Sequence, residues 1–206
     1  MMRFSRQLQR TKSYLETVIP TLQGVDENES NLQFCFRTIV LMVHCFMEEH
    51  YRLLVSLASL WRPEDVRRHL AARYPDQAER YEETPAFQLM RQVVREVSFR
   101  DDARKLKAVF SVLFSIGPFA DEDAEAKCLD LIRVRNILTH QGGLIEDDDL
   151  PQLHSPDVVV KRKTDGTLAF RDLHIQPVFL LDVLAALGRS VAAIDESLKR
   201  DPRYCL

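Results

Sequence analysis

The chain has 206 residues, of which 46% are hydrophobic and 29% charged, with a formal net charge of -3 at pH 7. That length and apolar fraction support a substantial buried core and argue against disorder. A slightly acidic chain has no overall positive field to draw in nucleic acid, so any contact with RNA must come from a local patch.

Phe4, Leu8, Leu15, Val18, Ile19 and Leu22 fall at mostly helical spacing before Gly24, which predicts an N-terminal helix within residues 1–25. The same segment lacks the apolar core of a secretory signal. Ser30 can cap a long helix from about Asn31 to Leu60, whose Ile39, Met42, Val43, Phe46, Leu53, Leu54 and Leu57 mark it as a central core element. Its most apolar part, Thr38 to Met47, is too short to span a bilayer. Pro63, with Glu64 and Asp65 in the first turn, opens a short helix to about Arg73, which Pro75 stops. The polar segment Asp76 to Thr84 reads as an exposed connection before a helix from Pro85 to Val97. Asp101 or Asp102 opens the next helix, with Leu106, Val109, Phe110, Leu113 and Phe114 on one face and Gly117-Pro118 as its terminator.

Asp121, Glu122 and Asp123 then start a helix running to about Gln141. Beyond it the period changes. Val158 to Val160 and Leu168 to Phe170 flank an Asp165-Gly166 turn, the pattern of a two-stranded hairpin. Pro177 starts the last helix, carried by Phe179, Leu180, Val183, Leu184, Leu187, Val191 and Ile194 and interrupted by Asp182 and Arg189, which argues against a membrane span. Cys35, Cys45, Cys128 and Cys205 form no C-x-x-C pair, so the simplest account is reduced core thiols in a cytosol.

One stretch looks like chemistry. Arg135-Asn136-Ile137-Leu138-Thr139-His140 sets a permanent cation, an amide and an imidazole within two turns of a helix. Stepping from Ala124 through Cys128 and Leu131 by fours and threes reaches Arg135 and Leu138, so Arg135 is expected where the apolar stripe calls for a Leu. A buried guanidinium there needs an anionic partner, a wet cleft or a subunit interface. His140 lies five residues on, about 140° around and about 7.5 Å along an ideal helix, so one helix alone does not bring the two side chains together. A helix C-terminus favours a protonated imidazole, which suits His140 to proton transfer.

The Arg-Asn-x-x-x-His spacing, the helix before it and Gly142-Gly143 after it resemble the signature of the HEPN superfamily. The resemblance implies an all-α, HEPN-like helical bundle with the small β-hairpin inserted before the C-terminal helix, one domain over residues 1–206. It also implies a metal-independent endoribonuclease, cofactor-free, with a composite site at a homodimer interface. In that role His140 would transfer protons, Arg135 would clamp phosphate and Asn136 would orient, with Thr139 a weaker candidate beside them. RNA is the implied substrate; a toxin or antiviral defence role follows from the family, with an antitoxin protein as a further partner in the toxin case. The ribbon after the motif is more similar to the RiboL-PSP-HEPN subgroup than to the members paired with nucleotidyltransferases, which typically have a Tyr where Gly142 stands here. The superfamily also includes non-catalytic modules, so an RNA- or protein-binding role is the alternative.

Other candidates are weaker. Glu48 or Glu49 can be placed opposite Arg135, because HEPN-like domains commonly carry an acidic residue on an early helix; a solvated carboxylate or a structural ion pair accounts for them equally well. His44 and Glu48 share a helix face, but the chain has no Glu-x-x-His set for a di-metal bundle, and no metal is expected. Lys161, Arg162 and Lys163 are RNA-backbone candidates, although charges on a ribbon also guard its edges. The acidic run Glu146 to Asp149 lacks the spacing of a calcium loop. No nucleotide-cradling glycine loop or serine-hydrolase elbow occurs among only 6 Gly. Together these readings predict a cytoplasmic protein without membrane association.

Overall fold

The computed structural model describes residues 13, 16, 17, 29–97, 103–145, 158–162 and 171–200. Most of these are helical: α1 (Glu29–Trp61), α2 (Pro63–Arg73), α3 (Ala78–Glu83), α4 (Ala86–Glu96), α5 (Arg104–Phe114), α6 (Glu122–His140) and α7 (Pro177–Arg200). Between α6 and α7 lie three short strands, β1 (Leu144–Ile145), β2 (Val158–Arg162) and β3 (Arg171–Ile175). The predominantly helical class and the position of the β insertion are as the sequence predicts. The N-terminal helix expected over residues 1–25 lies almost wholly outside the described residues.

The chain divides into two compact units, Met1–Cys45 with Phe119–Ala193 and Phe46–Pro118 with Ile194–Leu206. The first unit contains α6, the sheet and most of α7. Asp121 caps α6: in extended conformation, its carboxylate accepts the Ala124 N–H at 2.6 Å. That bond, with Arg189 beside it, holds the Asp121 carboxyl below its ordinary pKa. α7 buries Phe179, Leu180, Val183, Leu184, Leu187 and Val191, a helical stripe. By length and composition it is apolar enough to cross a membrane. Its two interrupting charges are engaged with α6: Asp182 accepts from Lys127 Nζ at 2.7 Å, and Arg189 pairs with Asp123 at 2.7 Å and Asp121 at 3.4 Å. The Asp182 contact raises the Lys127 pKa, as expected when a carboxylate favours the ammonium form.

The sheet has the order β1-β3-β2, both pairs antiparallel. This corrects the expected two-stranded hairpin in two ways. β1 adds a third strand, and Val158, Val159 and Val160 pair with Ile175, His174 and Leu173 rather than with Leu168 to Phe170. Burial explains the choice of partner, because Leu173 and Ile175 alternate into the core with half-buried His174 between them. The Asp165-Gly166 turn lies outside the described residues. From α1, the Gln33 amide donates to the Ile175 carbonyl and accepts its N–H, at 3.1 and 3.0 Å, which satisfies the end of β3 as a further strand would.

In the second unit, Met47, Tyr51, Leu54, Val55 and Ala58 of α1 are buried, as are Val66, Leu70, Leu89, Val93, Leu106, Val109, Phe110 and Leu113. Tyr51 meets Phe110 edge to face, with centroids 5.4 Å apart, and its hydroxyl donates to the Pro118 carbonyl at 2.7 Å. α5 ends earlier than Gly117 suggested: Ser115 takes the left-handed conformation, with φ 58°, and its N–H returns to the Ser111 carbonyl. The expected caps of α5, Asp101 and Asp102, lie outside the described residues. Residues 76–84 are a further correction. They form a 3-10 turn and α3 rather than an open connection, because Tyr81, 2% exposed, anchors the otherwise polar segment. Its hydroxyl donates to Gln77 at 3.1 Å and accepts from Gln92 at 2.7 Å.

The cysteines separate by burial, which corrects the expectation of core thiols for Cys35 and Cys45. Cys128 is fully buried, and burial pushes its thiol up to about 12, whereas Cys35 and Cys45 are exposed. Iodoacetamide applied to the native protein is therefore expected to alkylate Cys35 and Cys45 and to reach Cys128 only on denaturation. Peptide mass spectrometry reads the difference; native labelling of Cys128 at the rate of the other two would contradict this burial.

Candidate functional site

The motif helix buries Ala124, Cys128, Leu131, Val134 and Ile137. From Leu131 the buried stripe continues by threes to Val134 and Ile137, and Arg135 and Leu138 fall at its margin. This corrects the expected core slot for Arg135: the guanidinium is half-buried, and no buried anion is required to hold it. Its Nη1 donates to the Asn136 side-chain oxygen at 2.9 Å, so the amide expected to orient does touch the cation. Among the described residues Arg135 forms no ion pair.

His140 is the last residue of α6 and is exposed. Thr139 is exposed as well, and its hydroxyl turns back on its own helix, 2.9 Å from the Arg135 carbonyl and 3.2 Å from that of Asn136. Thr139 thus occupies its hydrogen with local backbone. Glu48 is bound by Arg52 one turn along α1 at 2.6 Å, and Glu49 is exposed. Lys161 and Arg162 lie on β2, an edge strand, at register positions opposite Asp172 and Arg171. Lys163 lies outside the described residues. No group of three His, Cys, Asp or Glu side chains is arranged to hold a metal ion among the described residues.

Two neighbours of the motif escaped the sequence reading. Asp130, 1% exposed, pairs with Arg133 at 3.1 Å, so the helix carries a buried carboxylate one turn before the motif. Its i,i+3 spacing to an arginine was the available signal. The second is Arg37 of α1. Its Nη2 donates to the Leu173 carbonyl at 3.1 Å, and its guanidinium lies against Gly143, three residues past His140. Nothing local in the sequence announces this contact, which joins residues separated by more than a hundred positions.

The glycine pair shapes the exit from the motif. Ile137's carbonyl accepts from both Gln141 and Gly143, at 3.0 and 3.2 Å, and the Gly143 carbonyl then accepts the Leu173 N–H at 2.9 Å. Gly142 and Gly143 have φ of 63° and 87°. A Cβ on Gly143 would stand 3.1 Å from the Arg37 guanidinium, while one on Gly142 would meet nothing within 4 Å. Gly142→Ala should cost about 1 kcal/mol from the left-handed backbone alone. Gly143→Ala should cost about 2 kcal/mol or more, because the displaced Arg37 also loses its carbonyl contact. Chemical denaturation of the two variants checks this ordering; equal losses would mean that Arg37 yields freely.

The fold thus presents a cation steadied by an amide and an exposed imidazole on different sides of one helix end. Comparisons with protein-family models, curated proteins and solved structures gave no match to the chain.

Proposed function

We propose that the protein is a metal-independent endoribonuclease of HEPN type, acting as a homodimer with a composite site and serving as a toxin or defence effector in the cytoplasm. The observation that carries this reading is the state of the motif residues: Arg135 half-buried, bonded to Asn136 and without an ion-pair partner among the described residues, and His140 exposed at the helix end. A cation held by a neutral amide keeps its charge for an incoming phosphate. In the proposed reaction the ribose 2′-hydroxyl attacks the adjacent phosphorus and the bond to the 5′ oxygen breaks. Histidine takes the hydroxyl proton and returns one to the leaving oxygen, while Arg135 carries the growing charge on the phosphate. The products are a 2′,3′-cyclic phosphate and a 5′-hydroxyl.

Incubation of the purified protein with RNA in excess chelator, followed by mass spectrometry of the new ends, tests the reading. Cyclic phosphate ends that disappear with Arg135→Ala are expected. Cleavage abolished by chelator, or unaffected by the substitution, removes it. The bond that joins Arg135 to Asn136 also suits a second reading, a non-catalytic module that grips RNA phosphate or a partner carboxylate. That reading predicts binding lost in Arg135→Ala and little changed in His140→Ala, with no turnover.

A further inference from the structure

The second unit holds an open cleft of about 380 Å³ between α3 and α4, and its lining is rich in arginine. Arg80, Arg91 and Arg95 line it, and among the described residues no carboxylate does. None of the three guanidinium groups forms an ion pair among the described residues. Arg91 and Arg95 stand one turn apart on α4, where like charges repel unless something anionic lies between them. Phe87, one turn before Arg91, is 58% exposed, and the Arg91 guanidinium carbon lies 5.8 Å from its ring centroid.

The walls are held in place from behind. Buried Tyr81 ties α3 to α4 through the bond from Gln92, and Arg67 of α2 donates to the carbonyls of Tyr81 and Thr84 at 3.1 and 3.3 Å. The arginines themselves are exposed, but the helices beneath them are fixed in advance, so only their side chains need to order when a ligand enters. Planar guanidinium forks match the oxygens of phosphate two at a time, and three of them suit a group carrying more than one negative charge. The Phe87 ring offers an apolar surface to whatever the phosphate is attached to.

We propose that this pocket binds a small phosphorylated molecule, with the phosphate among Arg80, Arg91 and Arg95 and the organic part against Phe87. The site is built from residues outside the motif helix and stands whether or not the chain cleaves RNA. Isothermal titration of the full-length protein with inorganic tripolyphosphate and with phenyl phosphate tests it, beside a short RNA oligonucleotide lacking terminal phosphates.

Saturable binding of both phosphate probes is expected, weakened about tenfold or more by Arg91→Gln and by Arg95→Gln. Arg68→Gln, which removes an exposed arginine outside the cavity, should leave the affinity unchanged. Circular dichroism checks that each variant is folded. The proposal is overturned by an absence of saturable binding, by equal affinity in the pocket variants, or by equal weakening in Arg68→Gln, the mark of diffuse attraction. Binding of the oligonucleotide alone, through the same arginines, would overturn it in favour of a nucleic-acid surface.

Discussion

On the proposed composite-site reading, mixing Arg135→Ala protein with an equal amount of His140→Ala protein is expected to restore about a quarter of the wild-type RNA cleavage, after each variant alone has lost about 10²- to 10⁴-fold. The reason lies in helix geometry. Arg135 and His140 are separated by about 140° around α6, so their side chains leave one helix in different directions. A two-fold contact repeats each residue on both sides, so each of two composite sites would take Arg135 from one copy and His140 from the other. Random exchange makes about half of the dimers mixed, and each mixed dimer keeps both groups in one of its two sites. Initial rates after mild dissociation and reassociation measure the recovery, with size-exclusion chromatography confirming exchange. Inactive variants that exchange subunits and recover nothing would place the reacting groups within one chain, or require all four groups in one site.

Much of the fold was readable because local chemistry and long-range packing agree along most of the helices. Pro63 and Asp121 announced helix starts, and the apolar periods of α5 and α7 marked their buried faces, whereas on α1 Val43 and Leu54 are buried but Met42, Leu53 and Leu57, expected in the core, are exposed. The misreadings occur where a single distant contact outweighs the local pattern. Residues 76–84 looked like loop because only Tyr81 is apolar enough to anchor them, and what it anchors to is Gln92 on another helix. Arg135 looked like a core intruder because steps of four and three fit the stripe equally well, and only the buried Val134 and Ile137 show which the helix takes. Arg37 has no local pattern that points to its observed contacts, the Leu173 carbonyl and the space left by Gly143. A side chain's tertiary partner carries no local signature, so this part of the candidate site required the fold.

A second large effect is expected on stability in acid, and it centres on His50. The imidazole is 3% exposed, packed edge-on against Tyr51, and burial lowers its pKa from 6.5 to about 4. Below pH 6.5 the unfolded chain takes up a proton at this residue that the folded chain refuses until about pH 4. Unfolding thus binds protons in that interval, and stability must fall as pH falls through it; above 6.5 and below 4 this residue contributes no slope. Across the window the loss is about 3 kcal/mol, a sizeable share of the ~5–15 kcal/mol that holds a domain together. Carboxylates titrate over part of the same range, so the informative quantity is the difference between the wild type and His50→Gln. Urea unfolding at several pH values should give a steeper acid decline for the wild type, by about 1 kcal/mol per pH unit. A constant offset from lost packing in His50→Gln would not change that slope. Parallel stability curves for the two proteins would mean that His50 takes up its proton as readily in the folded chain as in the unfolded one, and that its burial carries no electrostatic cost.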